Sequence, residues 1–175
     1  MSTIYLAAGC FWGAEHFLKL IPGVVETEVG FTGGHVAHPT YKEVYTDTTG
    51  HAETVRVCYD PDRLPLRELL ELYFMAIDPT SLNRQGEDSG TRYRTGIYYT
   101  DAADRPVIDA VMAEQAARYD APLQVEVLPF TQFYPAEEYH QDYLDKNPTG
   151  YCHLSPALFE LARRGRKPTD ADKQK

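Results

Sequence analysis

The chain has 175 residues, 43% of them hydrophobic and 25% charged, with a formal net charge of −9. That length suits one domain with its own core, and the composition is ordinary for a soluble globular protein. The acidic balance argues against a nucleic-acid or anionic-membrane partner, and no apolar run nears the roughly 20 residues that span a bilayer. Ser2 to Ala8 lacks the basic start of a signal peptide, so a cytoplasmic location is expected. Three cysteines in such a chain point to chemistry rather than to a disulfide scaffold.

Ile4-Tyr5-Leu6-Ala7-Ala8 reads as a buried strand. Gly9-Cys10-Phe11-Trp12-Gly13 follows it. Ala14, Phe17, Leu18 and Ile21 then mark one face of a short helix, so Cys10 sits at a strand-to-helix handover. Pro22-Gly23 turns the chain, and Val24 to Thr32 reads as a second strand. Gly33 to Tyr41 reads as a loop, and Thr46 to Gly50 continues irregularly. Glu53 to Tyr59 alternates as a half-buried strand. Pro65 opens the clearest amphipathic helix, with Leu66, Leu69, Leu70, Tyr73, Phe74 and Ile77 on one face.

Thr80 to Gly90 is a long polar loop, and such loops are often functional. Gly96 to Tyr99 reads as a strand, and a helix is expected from about Asp101–Asp104 to Tyr119. Leu123, Val125 and Val127 alternate as a further strand closed by Pro129. Ala136, Tyr139, His140 and Tyr143 predict a helix beginning after Tyr134-Pro135. Asn147 to His153 is a Pro/Gly loop, and Ser155-Pro156 starts a last helix through Leu161. The expected organisation is one catalytic domain over residues 1–162 with a charged, flexible tail over 163–175. Strands and helices interleave with connections of uneven length, which favours an α+β sandwich over a doubly wound sheet.

Three groups of residues could do chemistry. The amides and dipole of a helix start lower a thiol pKa, which would make Cys10 a nucleophile. The two flanking glycines would let a substrate approach the backbone. The other reading is a buried cysteine at a packed corner. Cys152, in its Pro/Gly loop, could resolve an oxidised Cys10 or be a free surface thiol. Cys58, within an alternating strand, reads as structural. Glu53 follows His51-Ala52; a partly buried carboxyl there could hold its proton near neutral pH and act as an acid, or it could be solvated. Tyr41 and Tyr93 lie on irregular segments, where phenols can orient an oxygen or simply pack. His35, His38, His51, His140 and His153 offer nitrogens but no zinc-type spacing, so no metal is expected. No Walker loop and no GxGxxG is present, so no nucleotide cofactor is expected either.

Five stretches together resemble the peptide methionine sulfoxide reductase A (MsrA) family. They are Gly9 to Gly13; Gly33-Gly34-His35 with Pro39 to Val44; Thr49 to Val57 with Tyr59-Asp60-Pro61; Arg84 to Arg94; and His140-Gln141 through Leu144 with Lys146-Asn147-Pro148 and Gly150-Tyr151-Cys152. They cover about residues 4 to 154 in order. The resemblance implies a two-layer α+β sandwich around a ferredoxin-like mixed sheet. By position it makes Cys10 the nucleophile, Glu53 the acid, Tyr41 and Tyr93 the oxygen-binding hydroxyls and Cys152 the resolving thiol. Phe11 and Trp12 would wall the substrate methyl, with Asp88 as a supporting polar group. It also implies selectivity for the S epimer of free or protein-bound methionine sulfoxide, recycling by thioredoxin, no cofactor and a monomer. Phe31 departs from the tyrosine of many members, no cysteine follows Cys152, and Cys58 matches no catalytic position.

Two other classes fit parts of the pattern. A cysteine hydrolase would need a histidine base and leave Cys152 idle. A redox sensor would switch a surface through Cys10 and Cys152 without turning over a substrate.

Overall fold

The computed structural model describes residues 1–165. In chain order the elements are β1 (Ser2–Ala8), α1 (Phe11–Lys19), β2 (Val24–Thr32), α2 (Tyr41–Tyr45), β3 (Ala52–Tyr59), α3 (Leu66–Met75), β4 (Arg84–Gln85), β5 (Asp88–Ser89), β6 (Thr95–Tyr99), α4 (Arg105–Ala116), β7 (Glu126–Pro129), β8 (Tyr134–Pro135), α5 (Tyr143–Lys146) and α6 (Pro156–Arg164). Six strands form one mixed sheet in the order β7-β6-β1-β3-β2-β8. Its four central strands, β6-β1-β3-β2, are antiparallel neighbours, and only β6 and β7 pair in parallel. With α1 between β1 and β2, and α3 between β3 and β6, this is the split βαβ of a ferredoxin-like unit. The α+β class and the ferredoxin-like mixed sheet expected from the sequence are therefore present.

Strand alternation divides the sheet into two chemical faces. Ile4 and Leu6 of β1 pair with Val57 and Val55 of β3 and point at the helices. Helices α1, α3, α4 and α6 bring Phe17, Leu70, Ile108 and Leu161 into the same core. Glu53 lies two residues before Val55, so it shares this helix face. Cys58 lies on the other parity, beside Arg56 and Thr3, and so on the opposite face from Glu53. That second face carries a smaller cluster, in which Tyr5 stacks on Phe130 at 4.1 Å. Tyr73 of α3 donates its hydroxyl proton to the Ala7 carbonyl at 2.7 Å and ties α3 to the end of β1, just before Cys10.

Several expectations are corrected. The helix expected after Pro135 is broken: a 3-10 turn covers Glu138–His140, Asp142 takes a left-handed φ of 53°, and α5 begins only at Tyr143. Tertiary contacts override the helical spacing here. The Gln141 side chain bonds both the N–H and the carbonyl of Val29 at 2.8 and 2.9 Å, and the Asp142 N–H donates to Glu15 Oε1 at 2.8 Å. The loop expected through Tyr41 gives way to α2, which starts with a capping box between Thr40 and Glu43. The strand expected from Leu123 begins at Glu126, where parallel pairing with Gly96 starts. The last helix continues past Leu161 to Arg164, with Gly165 in a left-handed cap. The expected tail over 163–175 thus begins inside α6, and residues 166–175 lie outside the described part.

Gln141 is the pin that holds the 136–142 segment against β2. Gln141→Ala removes three hydrogen bonds and strands the Val29 N–H, so urea unfolding at pH 7 should show a loss of about 1–3 kcal/mol.

Candidate active site

Cys10 is the residue immediately before α1, with only 6% of its surface exposed. The next residue, Phe11, is fully buried against Phe31 and Tyr41, which anchors the helix start. Burying a side chain of that size stabilises by about 1.5–3 kcal/mol. The Phe11 N–H donates to Glu53 Oε1 at 3.1 Å. One bond therefore joins the first turn of α1 to β3 and places a carboxyl beside the thiol.

Gly9 and Gly13 are small for a reason the sequence did not disclose. A Cβ on Gly9, whose φ is +83°, would stand 2.8 Å from the Gln85 Cβ and 3.2 Å from His153 Nε2. A Cβ on Gly13 would stand 2.9 Å from Cys152 Sγ. These glycines admit the chain's own loops to the helix start, where open backbone for a substrate was expected. The same packing brings Cys152 from the far end of the sequence onto the first turn of α1.

The proton inventory is set by burial. Glu53 is 1% exposed, and desolvation pushes its pKa up to about 8 against the pull of the Phe11 amide and of Arg92. Its Oε2 is buried and has no hydrogen-bond partner among the described residues. Burial, then the Glu53 charge, also push the Cys10 thiol well up, while the Trp12 and Gly13 amides pull it down. The expected lowering at the helix start is thus outweighed in the resting site. The amides are in place, but they act on a desolvated thiol beside a carboxyl. Burial and the same carboxyl raise Tyr41 and push Tyr93 up to about 12, so both phenols keep their protons.

Aromatic rings enclose the site. Tyr41 sits at the start of α2 rather than on an irregular segment, and its ring lies 4.3 Å from His140. Trp12 stacks on Tyr143 at 3.8 Å and donates its indole N–H to His140 Nδ1 at 2.9 Å. Tyr93 ends a 3-10 turn and lies under the Arg92 guanidinium, 4.3 Å from its ring centre. Arg92 is held in turn by Asp47. Asp88, on β5, accepts the Tyr151 hydroxyl at 2.8 Å, and its other oxygen is buried without a partner among the described residues. Glu53, Asp88, Tyr41 and Tyr93 lie close enough to Cys10 to act on its charge or feel it, and Cys152 lies against Gly13, whereas Cys58, read as structural, lies on the opposite sheet face from Glu53. His140, Tyr143 and Tyr151 complete the wall and were not singled out as site residues. The ring of Tyr151 directly before Cys152, and His140 with Tyr143 in the same stretch of the chain, were the available signal.

The fold and site together define a cysteine-based redox class: a buried thiol, a protonated carboxyl, two phenols and a second thiol within reach of the same helix turn. The comparisons agree. The family model for peptide methionine sulfoxide reductase matches residues 2–170. The MsrA of Lachnoclostridium phytofermentans is 55% identical over 161 residues, covering 92% of this chain and 97% of its own. Reduced Mxr1 from Saccharomyces cerevisiae superposes with a TM-score of 0.82 at 38% identity, covering 86% of this chain and 87% of that one. Mxr1 in complex with Trx2 gives a TM-score of 0.57 at 25% identity over 81% and 83% of the two chains. The chain belongs to the peptide methionine sulfoxide reductase family.

Glu53 makes stability depend on pH in a definite direction. Between its ordinary value of 4.5 and about 8 the folded chain keeps a proton that the unfolded chain has lost, so stability falls as pH rises through this window. The slope from this one group is about 1.4 kcal/mol per pH unit. Glu53→Gln should remove it: urea unfolding of the variant and wild type should match near pH 4 and diverge in the variant's favour up to pH 8.

Proposed function

We propose that the protein reduces methionine-S-sulfoxide, free or within proteins, to methionine, with Cys10 as nucleophile, Glu53 as acid and Cys152 as resolving thiol. The observation that carries this reading is Glu53, whose Oε2 has no partner among the described residues, buried and protonated beside Cys10. A sulfoxide sulfur is a poor electrophile until its oxygen gains a proton. Glu53 Oε2 supplies that proton, and the Tyr41 and Tyr93 hydroxyls donate to the same oxygen. The Cys10 sulfur bonds to the substrate sulfur as the S–O bond breaks and the oxygen leaves as water. Water then adds to the Cys10 sulfur and returns a proton, the bond between the two sulfurs breaks, and the thioether leaves. Thiol and sulfoxide enter; sulfenic acid and thioether come out. While Glu53 keeps its proton, the helix-start amides of Trp12 and Gly13 act on Cys10 against burial and the Asp88 charge alone. Phe11 and Trp12 give the substrate methyl an apolar wall, and Asp88 orders the rim through Tyr151.

Cys152 then condenses with the Cys10 sulfenic acid to a disulfide and water. Cys152 also lines a surface groove of about 480 Å³ with His16, Leu144, Pro148 and Phe159, which supports access by a protein reductant. Thioredoxin fills that role in this reading, in keeping with the Mxr1–Trx2 complex. The catalytic domain includes the whole of α6 and acts as a monomer in the cytoplasm; no described helix is long and apolar enough to cross a membrane. A cysteine hydrolase is disfavoured, because no histidine is bonded to Cys10 among the described residues, whereas Glu53 is bonded to the residue next to it.

Two measurements test the assignment. In single turnover with methionine-S-sulfoxide, Cys10→Ser should release no methionine, and Glu53→Gln should release it roughly 10²–10⁴ times more slowly than wild type. A Glu53→Gln rate within about threefold of wild type removes Glu53 as the acid.

Cys152→Ser should still release about one methionine per enzyme and then stop when thioredoxin is the only reductant, since thioredoxin attacks a disulfide and none forms. Cys58→Ser should cycle normally, because Cys58 lies on the opposite sheet face from Glu53. Mass analysis that finds a Cys10–Cys58 bridge reverses the assignment of the resolving thiol.

A further inference from the structure

We propose that His153 takes the proton from the Cys152 thiol and delivers it to the oxygen that leaves Cys10. The inference rests on the reading of Cys152 as the resolving thiol. His153 Nε2 lies 3.1 Å from the Ala8 carbonyl. A carbonyl can only accept, so Nε2 carries the hydrogen and Nδ1 of the neutral ring presents a lone pair. That Nδ1 is buried and has no hydrogen-bond partner among the described residues. An unused acceptor in that position costs free energy and calls for a function.

The acceptor and the thiol converge on one spot. A Cβ on Gly13 would meet Cys152 Sγ at 2.9 Å and His153 Nδ1 at 3.2 Å. Gly13 lies one helical turn beyond Cys10. The resting Cys152 thiol is occupied only weakly, with Leu154 O at 3.6 Å and Leu154 N at 3.4 Å. Burial raises Cys152 and lowers His153, so near pH 7 the thiol keeps its proton and the imidazole stays neutral. A thiol in that state attacks slowly unless a base stands beside it.

The neighbours of His153 leave it that task. Asp88 of β5 is the charged group that acts on both His153 and Cys152. Gly9, Gly13 and Gln85 approach without charge. Asp78, Arg118 and Tyr119 share the wall of the adjoining cavity. An Asp88 carboxylate favours the imidazolium that forms during the transfer.

The step balances. The proton moves from Cys152 Sγ to His153 Nδ1, and the Cys152 sulfur attacks the Cys10 sulfur. The S–O bond of the sulfenic acid breaks, and the oxygen leaves with its hydrogen and takes the proton from His153 as water. Cys152 is oxidised, Cys10 is reduced by the same amount, and no outside reductant enters.

The test uses the full chain and methionine-S-sulfoxide without added reductant. Rapid quench gives methionine released and free thiols lost in the same sample. Their rate ratio separates disulfide formation from sulfoxide reduction and controls for folding. His153→Gln keeps an amide N–H for Ala8 and loses the basic nitrogen; its ratio should fall roughly 100-fold at pH 7. Its disulfide rate should climb about tenfold per pH unit toward the thiol pKa, where the wild-type rate levels off once His153 is neutral. Added imidazole should restore the rate of His153→Ala. A His153→Gln ratio and pH profile equal to wild type, with the Cys10–Cys152 bridge present in both, overturns the role of His153 alone. A wild-type protein that loses its thiols into no Cys10–Cys152 bridge overturns the resolving role of Cys152 and this inference with it.

Discussion

The hydrogen bond from the Phe11 N–H to Glu53 Oε1 is the constraint on which the site depends. It is made between a helix start and a central strand, and both ends are buried. A free amide at a helix N-terminus needs an acceptor, and a buried carboxyl needs a donor. Each solves the other's problem. The result is a carboxyl whose first oxygen is fixed and whose second has no partner among the described residues. Desolvation is larger than the amide's pull, so the group stays protonated into the neutral range. The position of Glu53 on the helix face follows from strand parity, and the position of Phe11 follows from its burial among Phe31, Tyr41 and His140.

The resting site is therefore close to uncharged. Cys10, Tyr41 and Tyr93 all feel Glu53, and all are raised in the same direction. Loss of the Glu53 proton to water would place a negative charge that disfavours ionisation of Cys10. Loss of that proton to a substrate oxygen happens only when a substrate is present to share the charge. The thiol and the acid are thus coupled through burial. A solvent-exposed cysteine at the same helix start would be more nucleophilic at rest and also more open to stray oxidants. Arg92, fixed by Asp47, limits how far Glu53 can rise.

Much of this was legible in the chain, and the missing part has a physical pattern. The strand-to-helix handover at Cys10, the alternation that carries Glu53 and the amphipathic run of α3 are local signals, and the structure contains all three. The helix spacing of Ala136, Tyr139, His140 and Tyr143 was also local, yet Val29 and Glu15 break it, 112 and 127 residues from their partners Gln141 and Asp142. The start of α2 was missed although Thr40 and Glu43 stand at capping-box spacing. The expected fall in the Cys10 pKa failed for a related reason. A helix start is visible in sequence, but the desolvation that outweighs it comes from chain segments that only the fold brings together. His140 illustrates the same limit: its role as acceptor for the Trp12 indole joins positions 128 residues apart.

The three cysteines are sorted by geometry that has nothing to do with their order. Cys10 and Cys58 are 48 positions apart and separated by the sheet. Cys10 and Cys152 lie near opposite ends of the chain, yet Cys152 meets the helix turn that Cys10 opens. Gly13 is what permits the meeting, since any side chain there would occupy the space of Cys152 Sγ and the His153 ring. A methyl group at Gly13 would leave α1 able to form, because alanine suits a helix better than glycine. It would push the 152–153 loop outward instead. The glycine is thus a cost to helix propensity accepted for the approach of Cys152 to the first turn of α1. That trade explains why Gly9-Cys10-Phe11-Trp12-Gly13 carries a glycine on both sides: one turns the chain out of β1, and the other clears the floor on which the second thiol and its histidine rest.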